Sequence, residues 1–95
     1  MAEIIRIDNE VYRIIDFNSG TLTMSKTILH ALKSTNGHKH NYQEIYYFIN
    51  NWGMLQVGEA FYQIQQGFVL IPPNNFHKVI NNENKDIEFI CAWEN

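Results

Sequence analysis

The strongest constraint on this chain is a repeat of strand-sized apolar runs where helical spacing is absent. No stretch of a dozen residues places apolar side chains at i, i+3, i+4 and i+7 between capping residues. Short runs rich in Ile, Val, Tyr, Phe and Thr recur instead, cut by Asn, Gly and Pro. They are "EIIRI", "VYRIIDF", a long or bent "TLTMSKTILHALK", "EIYYFIN", "MLQV", "FYQIQ", "FVLIP", "HKVIN" and "DIEFICAW". Eight or nine such strands at close spacing predict an all-β fold, a small antiparallel β-barrel or jelly roll with little or no helix. "VGEAFYQIQ" reads as a hairpin with Gly58 in its tight turn. Paired asparagines fall at the breaks, where their tolerance for left-handed backbone suits turns.

A length of 95 residues predicts one domain over 1–95 with a modest core. An apolar content of 45% and a charged content of 18% belong to a folded chain, not a disordered one. The net charge of −3 comes with no basic cluster, which argues against a nucleic-acid partner. "MAEIIRIDNE" has neither the basic nor the long apolar part of a signal peptide, and no apolar run approaches a membrane span. Cys91 is the sole cysteine, so no internal disulfide forms and a cytoplasmic location is expected. Cys91 itself reads as a small buried hydrophobe.

Chemistry concentrates in "NGHKHNYQEIYYFINNWG". Residues two apart in a strand face one side, so His38 and His40 point together, and Glu44 joins them if the strand continues without a bulge. His77, in "PPNNFHKVIN", is a fourth candidate on a separate strand. Three imidazoles and a carboxylate suit one divalent transition metal: Fe, Mn, Zn, Ni or Cu. With no thiolate in the set, a structural zinc knuckle is disfavoured. His30, in "KTILHALK", reads as a surface or half-buried histidine outside the site.

Segment 37–81 resembles the two motifs of the cupin superfamily. In the first, Gly37 precedes His38, His40 and Glu44, with Asn51 where the family usually has Gly, and Gly53 shortly after. In the second, Gly67 is followed by Pro72, Asn74 in a Gly place, His77 and Asn81, with the family's spacing kept from Pro72 to Asn81. The departures are the two Asn-for-Gly exchanges, Phe68 in place of a common Asp, and a Gly37 closer to the histidines than usual. Asn is the other residue that accepts positive φ cheaply, so the turn shapes are expected to survive. The resemblance implies a small β-barrel holding one metal through His38, His40, Glu44 and His77. It also implies a homodimer, with residues 1–16 pairing with a second subunit.

Fold does not give function, so the interior must be asked what it offers. Tyr46 and Phe48 share Glu44's parity, Phe76 adjoins His77, and Trp93 lies on the last strand; all four are substrate-pocket candidates. Tyr46 would serve as a catalytic base if a metal lowered its pKa. The carboxylates other than Glu44 fall in the N-terminal segment, a turn and the C-terminal polar stretch. That inventory weighs against proton-shuttling sugar chemistry. The expected function is a metal-dependent enzyme acting on a small organic molecule, oxygenase-like or sugar-phosphate isomerase/epimerase-like. The alternative is a non-catalytic metabolite-binding cupin.

Overall fold

The structure is a computed structural model and describes residues 2–95. Its strands are β1 (Ala2–Asp8), β2 (Tyr12–Ser19), β3 (Leu22–Leu29), β4 (Glu44–Phe48), β5 (Met54–Val57), β6 (Ala60–Gln63), β7 (Gly67–Ile71), β8 (His77–Ile80) and β9 (Ile87–Glu94). They form a six-stranded sheet in the order β1-β2-β3-β9-β4-β7 and a three-stranded sheet in the order β6-β5-β8. Every pairing in both sheets is antiparallel. The architecture is thus the all-β jelly roll that the runs predict, with two sheets that hydrogen bonds do not close into one barrel.

Turn chemistry sets the hairpins. Val57 pairs with Ala60 across Gly58-Glu59, as expected from "VGEA", and Ser19 pairs with Leu22 across Gly20-Thr21. Gly58 and Gly20 have φ of 59° and 60°, as the first central residue of a type II′ turn requires. The long run 21–33 yields a strand only as far as Leu29, because the chain turns at Ala31-Leu32. Residues of 1–16, expected to pair with a second subunit, form β1 and the first part of β2 within the chain, where β1 pairs with β2 and β2 with β3, and β1 stands at the edge of the large sheet. Met1 lies outside the described residues.

The core sits between the sheets and comprises Leu29, Tyr46, Phe48, Leu55, Ile64, Ile71, Val79, Ile87, Phe89 and Cys91. Strand β3 joins it only at one end. Its inward residues are Thr23, Ser25, Thr27 and Leu29, whereas Leu22 and Met24 face solvent. This inverts the usual apolar-in, polar-out alternation of a half-buried strand. One end of the interior is therefore apolar and the other is lined with hydroxyls.

The small sheet gains an irregular fourth member from residues 33–38. Ser34 bridges Ile80 and His38 bridges His77, so four steps on one side face three on the other. The extra residue is a bulge at Asn36-Gly37, where Gly37 takes φ of 80°. A Cβ on Gly37 would run into the Phe76 ring, which lies across it. Glycine is needed there for both conformation and space.

Candidate metal centre

Four side chains converge where the 33–44 segment meets β8. The potential ligand atoms of His38, His40, Glu44 and His77 all lie within 4.8 Å of one another. Strand parity does not produce this arrangement. His40 lies outside any strand, the chain bends at Asn41-Tyr42, and Glu44 opens β4. The bulge at Asn36-Gly37 turns His38 toward His77, and Asn74 holds the other end of the loop. Its backbone N–H donates to the His40 carbonyl at 2.7 Å. Asn74 has φ of 62°, so it fills a glycine-like turn position as its sequence context suggests. Asn51 does not; it has no positive φ, and its side-chain oxygen instead accepts the Gln66 N–H at 2.8 Å.

Hydrogen bonds fix which nitrogen the His40 and His77 rings present. His40 Nδ1 is 2.9 Å from the Tyr42 carbonyl, and His77 Nδ1 is 2.9 Å from the Asn75 carbonyl. A carbonyl only accepts, so Nδ1 carries the proton and a neutral ring offers the Nε2 lone pair inward. For His40 that lone pair faces Glu44 Oε1 at 2.8 Å. Two acceptors pointed at each other call for a cation between them, either a proton or a metal. His77 Nε2 is buried 3.3 Å from Glu44 Oε1 without a hydrogen bond, an orphan that a metal would satisfy. The residues present therefore fit a divalent metal. The backbone carbonyls that orient His40 and His77 are the outer support such ligands ordinarily have.

Electrostatics agree. Burial alone would raise the Glu44 pKa, but the surrounding His38, His77 and His40 rings hold it down to about 2. Burial opposes charge on His77, yet the Glu44 carboxylate and the Asn75 carbonyl raise its pKa. His30 takes no part in the cluster and lies 3.5 Å from Asp86.

The cluster forms part of the wall of a cavity of about 570 Å³. Of the aromatic candidates, Tyr46 and Trp93 line this cavity. Phe48 does not, being completely buried in the core, and Phe76 packs over Gly37 outside the cavity. Without a metal, burial first and then the neighbouring Cys91 and Glu44 push the Tyr46 pKa well up. Cys91 is a buried free thiol beside Tyr46, on the same wall. Sequence reasoning missed Arg6, Ser25 and Thr27, which also line the cavity. The legible signal for the two hydroxyls was the alternation of "LTMSKT", where Thr23, Ser25 and Thr27 share one parity and Leu22 and Met24 the other.

No protein-family model matches this chain, and no curated protein matches it. Solved structures do. A cupin-2 conserved barrel domain protein from Salinispora arenicola has a TM-score of 0.81 at 20% identity, over 97% of this chain and 82% of that one. A mutant of oxalate decarboxylase from Bacillus subtilis has a TM-score of 0.81 at 17% identity, over 93% of this chain and 27% of that one. The polyketide cyclase of Streptomyces resistomycificus has a TM-score of 0.79 at 12% identity, over 90% of this chain and 66% of that one. Likeness at such identities speaks for the fold alone.

Proposed function

The chain has the cupin fold, and we propose that it is a metal-dependent enzyme acting on a small organic molecule. One observation carries this reading: two histidines locked by main-chain carbonyls aim Nε2 at a shared carboxylate on the wall of an open cavity. His38, His40, Glu44 and His77 would hold one divalent transition metal, whether Fe, Mn, Zn, Ni or Cu. When bound, such an ion supplies Lewis acidity, or electrons for oxygen chemistry. The chain's own part is to hold and orient. Tyr46, Phe89 and Trp93 furnish apolar wall, and the hydroxyls of Ser25 and Thr27 furnish polar floor. Glu44 is ringed by imidazoles, and Asp16 is bound by Arg6, so neither is free to carry a substrate proton. That shortage of a free carboxylate favours metal-centred, oxygenase-like chemistry over isomerase or epimerase chemistry. The fold's breadth supports an enzyme without naming the reaction, since a cyclase and a decarboxylase stand among the similar structures.

The alternative is a cupin that binds a metabolite without catalysis, favoured by the shortage of a free base. We further propose that residues 1–95 act as one domain in the cytoplasm and as a homodimer. Support for the dimer comes from the outer face of the large sheet, where Leu22, Met24, Ile45, Phe68 and Leu70 are exposed. Among the described residues no helix is long and apolar enough to cross a membrane.

The test is elemental analysis of untagged protein purified without added metal or chelator. About one equivalent of a transition metal per chain is expected. Bound iron with substrate-dependent oxygen uptake would select the oxygenase reading. No metal, and none taken up on titration, would sink the metal reading.

A further inference from the structure

The proposed site has a second pole, and it sits on β1, an edge strand of the large sheet. Strand β1 runs in register with β2 from Ala2↔Asn18 to Ile5↔Ile15, then slips, so that Ile7 faces Ile14. Arg6 is the residue at the slip. A β-bulge re-aims the side chain it carries, and here it turns Arg6 toward the cavity mouth, where Arg6 joins the lining. The side chain is half-exposed yet firmly held. Nε lies 2.9 Å from Asp16 Oδ2, and Nη2 lies 3.2 Å from Asp16 Oδ1 and 3.4 Å from Ser25 Oγ. A two-point carboxylate clamp of this kind orients the planar guanidinium. Among the described residues, Nη1 meets no hydrogen-bond partner.

The floor between the two poles is continuous. Asp16 pairs with Ser25, Ser25 with Cys91, and Cys91 with Tyr46, a single cross-strand row from the Arg6 clamp to the residue two places beyond Glu44. Arg6 and Lys39 line the cavity, and Glu44 is its lining carboxylate, surrounded by histidines. With Asp16 paired to Arg6 these fixed charges balance, so a bound divalent cation would leave the enclosure positive. A neutral ligand gains nothing from that field, whereas an anion does.

We propose that the ligand of this cavity is a small carboxylate, whose acid group is received by Arg6 while its other end faces the histidine cluster. The inference rests on the metal-centre reading for the far end of the ligand and on the Arg6 geometry for the near end. Arg6 is a binding residue in this scheme, Asp16 positions it, and Ser25 Oγ helps to hold Nη2.

The test is calorimetric titration of the zinc-loaded chain with 2-oxobutanoate and with its neutral amide, repeated in Arg6→Gln and Arg6→Lys. A bound metal also prefers the acid, so the change in the acid-to-amide ratio, not the ratio itself, belongs to Arg6. Arg6→Gln is expected to lower that ratio by about tenfold or more, the worth of a charge-assisted pair, with zinc content unchanged. Arg6→Lys keeps the charge and the Asp16 pairing but loses the fork, and is expected to lower the ratio by a smaller factor. If Arg6→Gln does not fold, Arg6→Lys carries the test. An undiminished ratio in whichever variant folds overturns the proposal, as does a native chain that binds neither probe at millimolar concentration. A native chain that takes up no zinc, yet prefers the acid in an Arg6-dependent way, would sink the metal centre and leave the carboxylate pole standing.

Discussion

At Leu32 the backbone takes φ of 63° on a side chain that is 66% exposed. A γ-branched apolar residue gains nothing from solvent there and pays the left-handed penalty. Leu32→Asn is expected to stabilise the chain by about 0.5–1 kcal/mol, read as a rise in the urea midpoint; a fall would mean that Leu32 makes a contact worth more than its strain. Glu44 carries the acid dependence. Its carboxyl is held near 2 in the folded chain against an ordinary 4.5. A depressed carboxylate adds stability above its unfolded pKa, and that contribution is lost as pH falls through the folded value. In metal-free protein, Tm should therefore drop between about pH 4.5 and pH 2, and less steeply in Glu44→Gln. Equal slopes would show that the imidazoles do not hold this carboxylate. The clustered residues were legible because the sequence spaces His38, His40, Glu44 and His77 in a recognisable pattern. Asn74 and Asn51 were not equally legible: both stand where glycine is usual, but only Asn74 takes positive φ. Which asparagine bends its backbone and which lends its side chain depends on the neighbouring loops, which one residue type cannot report.

Elements show where local pattern stops being enough. Parity within a continuous strand was the argument for placing Glu44 with the histidines, yet His40 lies outside any strand and a bend at Asn41-Tyr42 intervenes before Glu44. The cluster forms because β8 fixes His77 and the loop is tied to it at both ends. One tie is Asn81, buried at the end of that segment. Its Nδ2 lies 3.2, 3.1 and 2.7 Å from the carbonyls of Leu29, His30 and Lys85. Its Oδ1 accepts the Glu83 N–H at 3.1 Å. Removing this amide strands several buried polar groups together. Asn81→Ala should cost about 2–4 kcal/mol in denaturant unfolding, and a cost under about 1 kcal/mol would show that water replaces the hub. Gly53 is a second fixed point between elements. It has φ of 97°, and a Cβ there would strike Ile87 Cδ1 and crowd the Ile80 carbonyl, so any side chain must displace the core edge.

For the whole molecule, the inversion along β3 links the cavity to assembly. The same alternation that puts Thr23, Ser25 and Thr27 inside puts Leu22 and Met24 outside, beside Ile45, Phe68 and Leu70. Such an apolar outer face on a sheet is a place to bury area against another surface. Phe68→Lys with Leu70→Lys should convert a dimer to a monomer in sedimentation experiments without loss of metal. A native chain that sediments as a monomer at every concentration would remove the dimer from the proposal. His40→Ala should lose most of the bound metal, whereas His30→Ala, beside Asp86 and outside the cluster, should keep it. Unchanged metal in the first variant, or a large loss in the second, would mean that the ligands are misassigned.

The sequence by itself determined the fold class, since period-two runs cut by turn residues admit little but antiparallel sheet, and it determined the ligand types, since imidazole and carboxylate identities do not depend on the fold. Only the tertiary structure decided the rest. It chose two open sheets over a closed barrel, placed Phe48 in the core and Phe76 outside the cavity, and brought Arg6 from the edge strand to the cavity mouth. The reason is physical. Register slips of one residue, at Arg6 and at Asn36-Gly37, reverse which way a side chain faces, and such slips are set by pairing between strands distant in sequence.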